Sequence, residues 1–182
     1  MGVRRSFGSI TARWRSLTEK QQNAWRASAR ANHTVSGITP SSPLTGFQLF
    51  TKLNCSLARL GANPVDAPPP FPQFPDNPVG ALTVTNAGGV ISLKLGCPSA
   101  PAGNITLRAS APCSAGIGSG ENYRILGVLP APVQGACEIT SLYAGRYGNP
   151  APGTKVFVRM TQNSNGWQGV PVDTWTIVPA AS

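Results

Sequence analysis

The sequence predicts an α+β protein: a small basic helical head over residues 1–61, a Pro-rich extended linker over 62–80 and an antiparallel β-sandwich over 81–182. Three observations predict it. Nine of the fifteen Lys and Arg residues but one of the six acids lie in the first sixty positions, and only that stretch has helical periodicity. Seven prolines crowd residues 62–80. Beyond them, short alternating apolar runs recur at regular spacing between turn signals, the pattern of an antiparallel sandwich.

In the head, Val3, Phe7, Ile10, Trp14 and Leu17 recur at spacings of four, three, four and three, which predicts an amphipathic helix with arginines on its other faces. Thr18 and Gln21 then form a capping-box pair, so a second helix runs to about Ala31 with Ala24, Trp25, Ser28 and Ala29 as its buried stripe. Gly37, Pro40 and Pro43 break the pattern and predict a loop from Asn32 to Pro43. Thr45 and Gln48 repeat the capping spacing ahead of a third helix. Its apolar face is Phe47, Leu49, Phe50, Leu53, Leu57 and Leu60, and Gly61 stands at the left-handed C-terminal position.

The prolines of 62–80, including Pro68, Pro69 and Pro70, predict stiff polyproline II that spaces the head from the β-rich body. Seven strands are then expected: Leu82 to Thr85, Val90 to Leu95, Ile105 to Ala109, Tyr123 to Leu129, Cys137 to Leu142, Lys155 to Gln162 and Thr174 to Val178. Asn86 to Gly89 and Asn163 to Gly166 carry turn composition.

Charged residues make up only 12 % of the chain, low for a soluble enzyme, whereas Gly and Pro together contribute 38 residues. No apolar run of signal-peptide or membrane-span length occurs, so the chain is expected to be made in the cytoplasm and kept in solution, without membrane contact. Cys55, Cys97, Cys113 and Cys137 show no Cys-x-x-Cys spacing and a single His accompanies them, which argues against zinc; no cofactor is expected. Buried free thiols are the preferred reading. In an oxidising compartment, one cross-strand disulfide among Cys97, Cys113 and Cys137 is the alternative.

Catalysis needs a base and a nucleophile that can meet, or paired carboxylates. His33 falls in a predicted loop and reads as a solvated residue, and the acids are scattered singly, so no enzymatic activity is expected. Gly116 to Gly120 lacks the Lys and the following helix of a phosphate loop and reads as an inter-strand connection. Two sets remain as candidate contacts. Arg4, Arg5, Arg13, Arg15, Arg26 and Arg30 either meet the phosphates of a polyanion or form a solvated or partner-facing surface. On either reading, helices one and two should pack through Phe7, Trp14 and Trp25 and so bring Arg4, Arg5, Arg13 and Arg15 onto one surface with Arg26 or Arg30; no Asn and Gln cluster beside Arg on one stripe is expected for base readout. In a predicted loop, Tyr143, Arg146 and Tyr147 either face a partner or seal the end of the sandwich.

The stretches Gly153 to Met160, Gly166 to Gly169 and Thr174 to Val178 give the body a pattern that resembles a fibronectin type III or immunoglobulin-like domain over about residues 80–180. That resemblance implies a sandwich with Tyr143 or Tyr147 at a tyrosine-corner-like position. Trp14 to Thr18, Gln22 to Trp25 and Leu44 to Phe50 resemble a helical module of uncharacterised bacterial and phage-type proteins, and the Trp and Leu-Thr spacing is similar to part of an HMG box. These resemblances imply a structural role without catalytic residues. The chain is therefore expected to be a non-enzymatic structural protein of a virion or similar assembly, its partners being copies of itself or neighbouring structural proteins. The alternatives are a non-specific nucleic-acid-binding protein, and a surface or carbohydrate-binding module.

Overall fold

A computed structural model describes residues 3–32 and 44–182, with side chains from Phe7 onward. His33, Gly37, Pro40, Pro43 and the side chains of Arg4 and Arg5 lie outside the described residues. The fold is α+β and divides into two units, the first comprising residues 1–73 and 165–167, the second 74–164 and 168–182.

Among the described residues, the first unit holds three helices: α1 (Val3–Ser16), α2 (Glu19–Ala31) and α3 (Gly46–Arg59). Thr18 and Thr45 each close a full capping box, accepting from the amides of Gln21 and Gln48 while those glutamines accept from the cap amides. Gly61 lies at φ 71°, and the paired bonds Ala62 N–H to Leu57 and Gly61 N–H to Ala58 make a Schellman end to α3. The expected hairpin of helices one and two is replaced by a different packing. Trp14 of α1 and Trp25 of α2 both set their rings against Phe50 of α3, at 5.3 and 5.2 Å, so α3 is the hub. Phe7 does not enter this core and is 50 % exposed; Ala24, expected in the α2 stripe, is also exposed, leaving Trp25 and Ala29 buried. The physical reason is size. Gly46, the first residue of α3, approaches α2 so closely that a Cβ there would lie 2.8 Å from the Arg26 amide nitrogen, which sets the two helices in contact.

The start of the Pro-rich segment lies across these helices as a strap. Asn54, fully buried on α3, accepts from the Val65 amide at 2.7 Å and donates to the Val65 carbonyl at 3.2 Å, so one side chain satisfies both backbone groups of that residue. Asp66 takes Arg13 of α1 in a two-point ion pair at 2.6 and 3.0 Å, and its carbonyl accepts the indole N–H of Trp25 at 2.8 Å. Residues 62–80 have no regular secondary structure and divide between the units after Gln73.

The second unit holds two antiparallel sheets. One orders β1 (Leu82–Ala87), β2 (Val90–Gly96) and β6 (Ala136–Glu138) as β1-β2-β6. The other is built on β7 (Thr154–Ser164), which pairs β3 (Asn104–Ala109), β4 (Cys113–Ser114) and β9 (Val172–Ile177), while β5 (Arg124–Val128) pairs β3; the two-residue β8 (Trp167–Gln168) falls on the division between the units. Apolar residues of both sheets, among them Leu93, Leu95, Leu107, Val156, Val158 and Met160, share one core. Gly88 and Gly89, both at positive φ, make the two-residue turn between Ala87 and Val90 that the register requires. Cys97 and Cys137 are fully buried at the β2–β6 end of this core, Cys55 and Cys113 are partly exposed, and all four are free thiols.

The expected fifth strand, Cys137 to Leu142, is corrected. The strand stops at Glu138, and α4 (Thr140–Tyr147) stands in place of the expected loop carrying Tyr143, Arg146 and Tyr147. Ile139, Tyr143 and Tyr147, spaced four apart, form one helical stripe toward the core, while the Glu138 carboxylate accepts from the Thr140 amide and hydroxyl where the strand breaks. Tyr143 is fully buried, and its hydroxyl donates to the Ser110 carbonyl, far upstream in the chain rather than the few residues back of a tyrosine corner. Tyr143 therefore is not a contact residue. Tyr147 donates to the Ala109 carbonyl at 2.9 Å, and Arg146 alone of the three is exposed.

Asn54→Ala strips both backbone groups of Val65 of buried partners, a loss of about 2–4 kcal/mol, whereas Asp66→Ala removes a half-exposed ion pair worth about 0.5–1 kcal/mol and keeps the carbonyl bond to Trp25. Urea unfolding followed by Trp fluorescence is expected to rank the two in that order. In the second unit, the hydrogen-bonded pair with Arg159 holds the Asp173 carboxyl below its usual range, against an opposing push from burial. Its folded value being depressed, Asp173 stabilises the fold above the ordinary carboxylate value of about 3.9, and that contribution vanishes as pH falls through the lowered folded value. The stability gap between wild type and Asp173→Asn should be open at pH 7 and narrow as the pH falls below about 4.

Candidate functional site

Residues 1–73 carry nine basic and two acidic side chains, a net +7, against +2 for the second unit. The described basic side chains separate into two groups. Arg13 is committed to Asp66. That pair raises the guanidinium pKa further, hydrogen bonding leading, burial opposing and the charge adding. Arg13 therefore leaves the candidate set, because the acid that the sequence assigns to the linker folds back to neutralise it.

Arg15, Lys20, Arg26, Arg30, Lys52 and Arg59 are exposed, and among the described residues none forms an ion pair. Arg15, Arg30 and Arg59 lie in the last turns of α1, α2 and α3, where the macrodipole favours a cation, so helix ends account for part of this charge. Arg26 and Arg30 stand one turn apart on α2. Arg26 donates to the Asn23 side chain at 2.6 Å and has the Gln22 amide oxygen at 3.5 Å, so the expectation of no Asn and Gln cluster beside an Arg is corrected. Gln22 and Asn23 lie four and five residues beyond the Thr18 cap, which brings them to the face of Arg26. The structure thus brings Arg26 and Arg30 together with two amide side chains, removes Arg13 and describes only the backbone of Arg4 and Arg5.

Sequence reasoning missed Asn54 and Asp66 as the residues that shape this surface. A polar residue on the apolar stripe of α3, between Leu53 and Leu57, is the signal that marks Asn54. Nothing local marks Asp66, whose partner is 53 positions away.

The described carboxylates that pair do so for structure. Asp66 holds Arg13 and Asp173 holds Arg159; Glu138 is bonded by Thr140 and Ser92 with Lys94 nearby, which outweighs burial and keeps its carboxyl below the usual range. Among the described residues, no cluster of three His, Cys, Asp or Glu could hold a metal ion, and no helix is long and apolar enough to cross a membrane. No family model, curated protein or solved structure matches the chain.

Charge reversal at Arg15 or Arg30 loses the favourable charge at a helix end and should lower the unfolding free energy by no more than about 1 kcal/mol. Arg13→Glu sets two carboxylates against each other at the strap and should lower it clearly.

Proposed function

We propose that the chain is a non-enzymatic structural component of a repeating assembly of the virion kind, in which the helical unit anchors to an anionic surface and the second unit packs with its neighbours. The observation that carries this reading is the exposed set Arg15, Lys20, Arg26, Arg30, Lys52 and Arg59, unpaired within the described protein and gathered on one unit. We read the second unit as a fibronectin type III-like β-sandwich. The strand order supports it: the first, second and fifth principal strands share one sheet (β1-β2-β6), and the fourth, third, sixth and seventh the other (β5-β3-β7-β9), as in immunoglobulin-like sandwiches with a C′ strand beside C, F and G. Such a unit supplies a rigid, weakly charged block for lateral packing.

The runner-up, a protein that binds nucleic acid by its backbone, is favoured by Gln22 and Asn23 beside Arg26, since amide and guanidinium groups together grip phosphate and sugar. One triple variant, Arg15→Glu with Arg26→Glu and Arg30→Glu, tests both readings because it spares the strap. For the assembly reading, particles isolated from the source should contain the chain at fixed stoichiometry, and the variant should fail to enter them. Absence of the chain from any particle, or normal incorporation of the variant, overturns it. For the runner-up, gel shifts on random-sequence DNA should show wild-type binding that is lost in the variant and falls about 10³-fold or more between 50 and 200 mM salt.

A further inference from the structure

Between β3 and β5 the chain leaves the sheet at Ser110, touches β7 as β4 and returns at Arg124. With Tyr147 of α4 it surrounds an open cleft of about 580 Å³, inside the range of roughly 300–1,000 Å³ of small-molecule sites. The walls are held in place. Ser110 donates its amide to the Phe157 carbonyl and accepts the Tyr143 hydroxyl; Tyr147 is fixed by Ala109; Lys155 Nζ donates to the Ile117 carbonyl at 2.7 Å. Gly120 is seated so tightly on Phe157 and Tyr123 that no Cβ fits. A cleft this pinned needs little ordering when a ligand enters.

Its lining joins two chemistries. Pro112, Ile117 and the half-buried Tyr147 give apolar contact, while Glu121, Asn122 and Arg124 bring an acid, an amide and a guanidinium that are exposed. Among the described residues neither Glu121 nor Arg124 is ion-paired, although they stand three positions apart. Ser110 also lines the cleft. It is 5 % exposed and its hydroxyl is closed off from solvent, so it offers a ligand no polar group.

We propose that this cleft is a binding site for a saccharide unit. A pyranose has an apolar face to lie on Tyr147 and Ile117 and hydroxyls that donate to Glu121 while accepting from Arg124 and Asn122. Competing ligand classes fit less well: a phosphate or other anion would face Glu121, and a wholly apolar molecule would desolvate both charges without pairing them. Hydroxyl groups, donor and acceptor at once, satisfy a lining that offers both. The site belongs to the second unit, so the inference stands or falls independently of the basic helical surface.

An array of neutral hexose- and N-acetylhexosamine-terminated glycans, probed with the full chain, tests this. Saturation-transfer NMR and titration with the best-bound glycan then compare variants. Wild type should bind at least one glycan. Glu121→Gln and Arg124→Ala should each weaken that binding about tenfold or more with an unchanged melting temperature, both side chains being exposed and unpaired. If no glycan on the array binds, or if binding survives the Glu121→Gln and Arg124→Ala double variant, the proposal is overturned.

Discussion

The helical unit depends on Asn54 pairing with both backbone groups of Val65. Three short helices with one hub phenylalanine form a small core, and a core of that size is marginal without reinforcement. Asn54 anchors the Pro-rich strap to α3 at a fixed point, and only from that point can Asp66 reach Arg13 on α1 and the Trp25 indole on α2. The prolines contribute by limiting the conformations that the strap loses when it docks. A surface of many cations thus rests on a single buried amide.

In the second unit, the organising element is β7, eleven residues long, with β3 along one edge and β9 along the other. Its outward residues are not left bare. Lys155 lies over the Trp175 ring at 4.0 Å, and Arg159 lies over Tyr123 while pairing with Asp173, so cations and aromatics cover that sheet jointly. The connection that wraps over this layer is also the one that shapes the cleft. Packing of the sheet and geometry of the cleft are therefore one problem, solved by the same contacts at Phe157 and Lys155.

Legibility in the sequence tracks the range of each interaction. The caps at Thr18 and Thr45 and the left-handed Gly61 were legible because each is settled within four or five residues. The turn at Gly88 and Gly89 was legible for the same reason. Ile139 reads as the middle of a strand and Tyr143 and Tyr147 as loop residues until their common four-residue spacing is given more weight than the β-favouring residue types before them. The strap was invisible because its bonds span from 11 to 53 positions, and no periodicity reports a partner at that distance. Charge counting for that reason placed Arg13 among the exposed cations. The cleft could not be foreseen either, since Ser110, Arg124 and Tyr147 meet only once α4 is in place.

The burial of Cys97 and Cys137 gives the molecule a built-in chemical clock. Burial and the neighbouring Cys97 push the Cys137 thiol up to about 11, which keeps it protonated at neutral pH. A thiol reagent meets the partly exposed Cys55 and Cys113 in the closed fold, but Cys97 and Cys137 only when the structure around the β2–β6 ladder opens. The lag between fast and slow labelling therefore times the opening of that ladder, with no reporter group added.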